Sequence, residues 1–215
     1  MSTIFLIFTT LFWTSLVFAQ PNAKRIIKLV KKSISKSSYH KTCEDLLEFS
    51  TENQVRLISL NSDHKNSKYL LGFRCNSGAY NSSYIYFLLD SKTESKNLPP
   101  LVAFPNDPQL ILNKDHQENW RLERYETQVF TSHWNQETLE LFSYRKGLGD
   151  GSKGYYTKYK IDANSGLPQL LVSISRIEQD HQAGYHFSTE SQPTGKGWLT
   201  LEPQQKLTGK LVKFK

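Results

Sequence analysis

From Gln54 onward the chain runs in short apolar stretches broken by polar turns. The runs are "QVRLISLN", "KYLLGFRC", "YIYFLLD", "PLVAFP", "WRLERYETQVF", "LELFSYRK", "GYYTKYKID", "PQLLVSISRIE", "GYHFST" and "GWLTLEP". They are rich in β-branched and aromatic residues, and several alternate with period two. In "YYTKYKID", Tyr155, Thr157, Tyr159 and Ile161 fall on one face, with Tyr156, Lys158 and Lys160 on the other. Turn clusters at 61–67, 76–78, 91–100, 147–154, 163–166 and 191–197 separate the runs. This pattern predicts a mainly β chain: an antiparallel sandwich or barrel of about ten strands. No repeat of 20–50 residues is evident.

Ahead of the strands the period changes. In "AKRIIKLVKKSISKSSYHK", Ile26, Val30 and Ile34 recur every fourth residue, with Ile27 beside them and lysines filling the rest. That spacing predicts an amphipathic helix. Its apolar stripe can pack on the domain, or the whole helix can lie on an anionic membrane surface through residues 24–41. "TCEDLLEFS" reads as a short second helix, capped by Thr42 and with Glu44 and Asp45 at its positive end. The expected organisation is a leader at 1–19, a basic helical segment at 20–50 and a β-rich domain at 51–215.

The leader reading rests on "IFLIFTTLFWTSLVF", Ile4 to Phe18, with Val17 and Ala19 placed as a small-residue cleavage site before Gln20. No Lys or Arg precedes it, and Lys24 and Arg25 follow, so an uncleaved N-terminal anchor is the alternative. Either way the chain is expected to be exported, periplasmic or extracellular. In an oxidising compartment the two cysteines, Cys43 and Cys75, are expected to form a disulfide.

Charge adds a further division. The net charge of +7 equals the seven basic residues between Gln20 and Thr42, where no acid occurs. The remaining 20 Lys and Arg balance the 20 Asp and Glu. The body is formally neutral, and no nucleic-acid partner is expected.

Recognisable catalytic motifs are absent from the sequence: no nucleophile elbow, zinc-protease helix, phosphate loop or dinucleotide fingerprint. No metal site or cofactor is expected, and the chain reads as a non-enzyme. A hydrolase would need the fold to gather Asp150, His181 or His186 with another acid. Asp180, His181 and His186 read as solvated turn residues. "RKGLGDGSKG" (145–154) can wrap backbone N–H groups around an anion, or can be a hairpin loop shaped by its glycines. "DANSG" (162–166) carries Asx-turn chemistry closed by a glycine. In "CNSGAYN", Gly78 supplies a bend after the tethered Cys75. Ser77 and Tyr80 then either project from a stiff recognition loop or simply lead into the next strand.

Cys75-Asn-Ser-Gly-Ala-Tyr-Asn81 followed by an apolar strand, and Leu139–Tyr144 leading into Lys146-Gly-Leu-Gly-Asp150, resemble an exported bacterial family known as domain of unknown function 1176. The likeness spans about Lys68 to Ser175. It implies export and brings no known activity. This chain departs from the family pattern at a shorter glycine loop, at Gly151 where a cysteine is usual, and in lacking the Trp-Asp-Gly that usually follows. Ser77-Gly78-Ala79-Tyr80 is also similar to the Ser-Gly-x-Tyr signature of periplasmic lysozyme inhibitors, whose loop enters the glycosidase cleft. That second likeness implies that Ser77 and Tyr80 are the inserted hydroxyls. The expected binding residues are therefore Ser77, Gly78, Tyr80 and Asn81 in one loop, and Lys146, Gly147, Gly149 and Asp150 in the other. The partner expected is a protein, with lysozyme one candidate, or a cell-envelope component.

Overall fold

The computed structural model describes residues 23–37, 43, 55–61, 68–77, 81–90, 98–106, 124–130, 132–146, 154–176, 198–201 and 206–213. One helix and twelve strands occur among them. Helix α1 is Ala23–Ile34. The strands are β1 (Val55–Ser59), β2 (Lys68–Ser77), β3 (Ser82–Asp90), β4 (Leu101–Pro105), β5 (Tyr125–Glu126), β6 (Val129–Phe130), β7 (His133–Asn135), β8 (Glu140–Lys146), β9 (Gly154–Ile161), β10 (Pro168–Arg176), β11 (Trp198–Leu201) and β12 (Lys210–Val212).

All strand pairs are antiparallel, as expected from the alternation. One sheet runs β1-β2-β3-β4-β12, with β5 on β4 and β6 on β3; the other runs β11-β10-β9-β8-β7. Twelve strands stand where about ten were expected. "WRLERYETQVF" yields two short strands, β5 and β6, and β7 and β12 are too brief to show a period. The run "GYHFST" lies outside the described residues.

The two sheets pack face to face. Leu70, Tyr86, Leu88, Val102 and Phe104 of the first meet Leu141, Tyr159, Ile161 and Leu170 of the second in one buried cluster. Tyr86, Phe104 and Tyr159 form a chain of edge-on rings, with centroids 5.8 and 5.1 Å apart. Such contacts add specificity to what is mainly burial of apolar area.

The opposite face of the first sheet is covered by α1. Ile26, Val30 and Ile34 are buried there with Leu71, Phe73, Ile85, Phe87 and Leu89. Of the two uses open to the stripe, packing on the domain is the one seen. Arg25, Lys28, Lys32 and Lys36 stay exposed. Cys43 and Cys75 form the expected disulfide, and both are fully buried in this same layer. A disulfide fits an oxidising, exported compartment. No helix among the described residues is long and apolar enough to cross a membrane. The second helix expected over 42–50 lies outside the described residues apart from Cys43.

The turn at 162–166 follows its sequence chemistry. The Asp162 carboxylate accepts from the Ser165 amide (2.6 Å) and hydroxyl (2.7 Å). Gly166 closes the bend at φ 74°, donating to the Asp162 carbonyl at 2.8 Å. Glycine is needed there twice over, because a Cβ would also sit 2.3 Å from Leu88 Cδ1.

Candidate functional site

β2 ends and β3 begins at a paired position, Ser77 opposite Ser82. The register shifts between Arg74 and Asn76, so Cys75 sits in an irregularity two residues before the strand ends. The disulfide thus fastens this hairpin end to the segment that follows α1. The second hairpin ends with Lys146 of β8 opposite Gly154 of β9.

The two ends belong to different sheets, and β6 joins them. Ser83 and Tyr84 of β3 pair with Phe130 and Val129. On its other side Phe130 meets β8. Its amide donates to Ser143 Oγ at 3.0 Å, and the Ser143 hydroxyl donates to its carbonyl at 2.9 Å. Ser82 and Lys146 are therefore each within three residues of one shared connection. The strand ends leading into 78–80 and 147–153 lie at the same end of the sandwich. Of the residues expected to bind, Ser77 and Lys146 have their backbones at these strand ends, and Asn81 is half-buried beside Ser82. Gly78, Tyr80, Gly147, Gly149 and Asp150 lie outside the described residues, as do Asp180, His181 and His186.

The interior changes character toward this end. Along β8 the inward positions read Leu141, Ser143, Arg145; along β9, from the far end, Ile161, Tyr159, Thr157, Tyr155. In the first sheet Val102 and Phe104 of β4 give way to Asn106, which is 1% exposed. A core built for stability alone keeps such positions apolar, because a buried polar group costs free energy unless it is paired.

Much of the pairing is visible. The Tyr86 hydroxyl and Ser132 Oγ are 2.7 Å apart. Arg56 donates from Nη2 to the Tyr84 hydroxyl (2.9 Å) and from Nη1 to the Ser132 carbonyl (2.8 Å), with its guanidinium 4.3 Å from the Tyr84 ring centre. Ser175 Oγ and Arg74 Nε are buried atoms with no hydrogen-bond partner among the described residues.

A narrow recess lies between the sheets here, enclosing about 10 Å³, the space of about one water molecule. Asn106, Glu126, Phe130, Ser143, Arg145, Tyr155 and Thr157 are among the residues lining it. Arg145 lies over the Phe130 ring, 4.6 Å from its centre. One carboxylate, one guanidinium, one amide and several hydroxyls line the recess, so this end of the interior is polar where the rest of the inter-sheet core is apolar. Burial raises the Tyr86 phenol above its usual value and the Tyr159 phenol well above it, so both are neutral donors near pH 7. No group of three or more His, Cys, Asp or Glu able to hold a metal occurs among the described residues.

Asn106, Glu126, Ser143 and Thr157 were not singled out by their sequence. For Ser143 and Thr157 the signal is polarity at inward positions of alternating strands, which requires knowing which face is inward. Asn106 follows β4 and Glu126 sits in the two-residue β5, where no alternation can be read. No protein-family model, curated protein or solved structure significantly matches the chain.

Proposed function

We propose that this chain is an exported, non-catalytic binding domain. It recognises a protein or cell-envelope component through the hairpin ends around Ser77–Asn81 and Lys146–Asp150. The carrying observation is the bridge from Ser83 through Phe130 to Ser143, which brings the feet of both hairpins to one end of the sandwich. The tethering of Cys75 adds support, because a stiffened hairpin loses little entropy when it binds. The apolar stripe at 4–18 is read as its export signal, and the chain as a member of the exported family it resembles.

The sharp form of the proposal is a lysozyme inhibitor. In this form Ser77 and Tyr80 present hydroxyls to the carboxylates of a glycosidase cleft, where hydrogen bonds to charged groups are the strong kind. The test is a cell-wall turbidity assay with the purified exported chain against chicken-, goose- and invertebrate-type lysozymes. Slowed lysis by the wild type, relieved by Ser77→Ala with Tyr80→Ala, supports it. Undiminished lysis by all three removes the inhibitor form. Retention on purified cell-wall sacculi, weakened by Lys146→Ala with Asp150→Ala, then distinguishes an envelope component from a protein partner.

A further inference from the structure

Helix α1 breaks two local rules, and nothing among the described residues compensates. Its first turn holds no acid, while Lys24 and Arg25 sit at the positive end of its dipole. Arg25, Lys28, Lys32 and Lys36 then follow at spacings of three or four residues, so each cation is neighbour to the next on one face. Like charges at that spacing weaken a helix. No acidic side chain among the described residues forms an ion pair with any of the four. Packing does not explain the row either, because Ile26, Val30 and Ile34 on the opposite face make the contacts with the sheet.

An exposed row of like charges with no ion-pair partner among the described residues is suited to an external anion. We propose that α1 is an electrostatic docking stripe for an anionic lipid surface, binding by adsorption without insertion. Within α1 the row from Arg25 to Lys32 spans about 10 Å at helical rise, and Lys36 continues it in the turn that follows. That shape matches a plane carrying many phosphates better than a compact ligand. The stripe also follows within seven residues of the apolar run Ile4–Phe18, which the proposed function reads as an export signal. Insertion is ruled out by the packing: the apolar face an interfacial helix buries in lipid is here committed to the sheet. This surface lies on the outer face of the first sheet, whereas the recess lies between the sheets.

The test uses the chain recovered from an export host, its N-terminus read by mass spectrometry. It is sedimented with vesicles of 30% phosphatidylglycerol in phosphatidylcholine, and with pure phosphatidylcholine. Binding is expected only to the anionic vesicles, reversed by 500 mM NaCl. Changing Arg25, Lys28, Lys32 and Lys36 together to Gln is expected to weaken binding roughly a hundredfold or more. The variant in which Lys28, Lys32 and Lys36 become Arg is expected to keep it. Circular dichroism of the Gln variant should show an unchanged or higher melting temperature, since the repulsion is gone. Equal binding to both vesicle types, binding that survives the salt wash, or binding of soluble polyphosphate without binding of anionic vesicles would each overturn the proposal.

Discussion

Ser143 of β8 exchanges two hydrogen bonds with the backbone of Phe130 in β6, accepting at 3.0 Å and donating at 2.9 Å. One hydroxyl thereby replaces a strand partner for Phe130 and links the two sheets where both hairpins end. Ser143→Ala removes both bonds and leaves an amide and a carbonyl in a largely buried place. The expected loss of stability is about 2 kcal/mol, within the range for unsatisfied buried groups. Urea unfolding measures it, and a change under about 0.5 kcal/mol would show that the link is not structural.

The Cys43–Cys75 disulfide closes a sequence separation of 32 residues. Chain-entropy arguments give roughly 3–4 kcal/mol for a loop of that size. The Cys43→Ser, Cys75→Ser double variant should lose about that much in chemical denaturation. It should also raise proteolysis near residue 77, because the tether ends two residues from that strand end.

Gly72 of β2 faces Tyr86 of β3 as its cross-strand partner. A Cβ on Gly72 would lie 2.6 Å from Tyr86 Cε1. The ring is fully buried and its hydroxyl is paired with Ser132, so it has little freedom to move aside. Gly72→Ala is therefore expected to cost about 1–3 kcal/mol, as overpacking does. A neutral or stabilising effect, the usual result of replacing glycine in a strand, would contradict the arrangement.

The Asp162 carboxyl is held below its usual value by the Ser165 amide and hydroxyl, despite being largely exposed. A depressed folded-state value means that the carboxylate contributes stability above the unfolded value, near pH 4. That contribution fades as the pH falls through the folded value. Asp162→Asn should accordingly flatten the loss of stability between pH 5 and pH 2. Identical acid profiles for the two proteins would refute this role. The effect will be small, because solvent screens the site.

Several of these features were legible in the residues. Alternation in "YYTKYKID" placed Tyr159 and Ile161 together, and both are buried in the inter-sheet core. The Ile26-Val30-Ile34 spacing identified the buried helix face, and an even pair of cysteines in a chain expected to be exported pointed to their disulfide. "DANSG" announced its own turn. What escaped depends on contacts distant in sequence. Gly72 carried a signal, since an isolated strand glycine marks a close approach, but not the identity of Tyr86 as its neighbour. Ser143 reads as an ordinary polar strand residue until β6, thirteen residues earlier, is placed beside it. β5 and β6, two residues each, are shorter than any period can reveal.

The two hairpins, anchored to one another through Ser83, Phe130 and Ser143, are proposed to form one recognition surface. Its most direct measurement combines the lysozyme turbidity panel with sedimentation on purified cell-wall sacculi. Wild-type chain is compared with Ser77→Ala/Tyr80→Ala and with Lys146→Ala/Asp150→Ala. One target is expected to be bound, and both double variants are expected to weaken that same interaction by at least tenfold, about 1.4 kcal/mol. Absence of both inhibition and retention, or an interaction that neither hairpin variant disturbs, would contradict it.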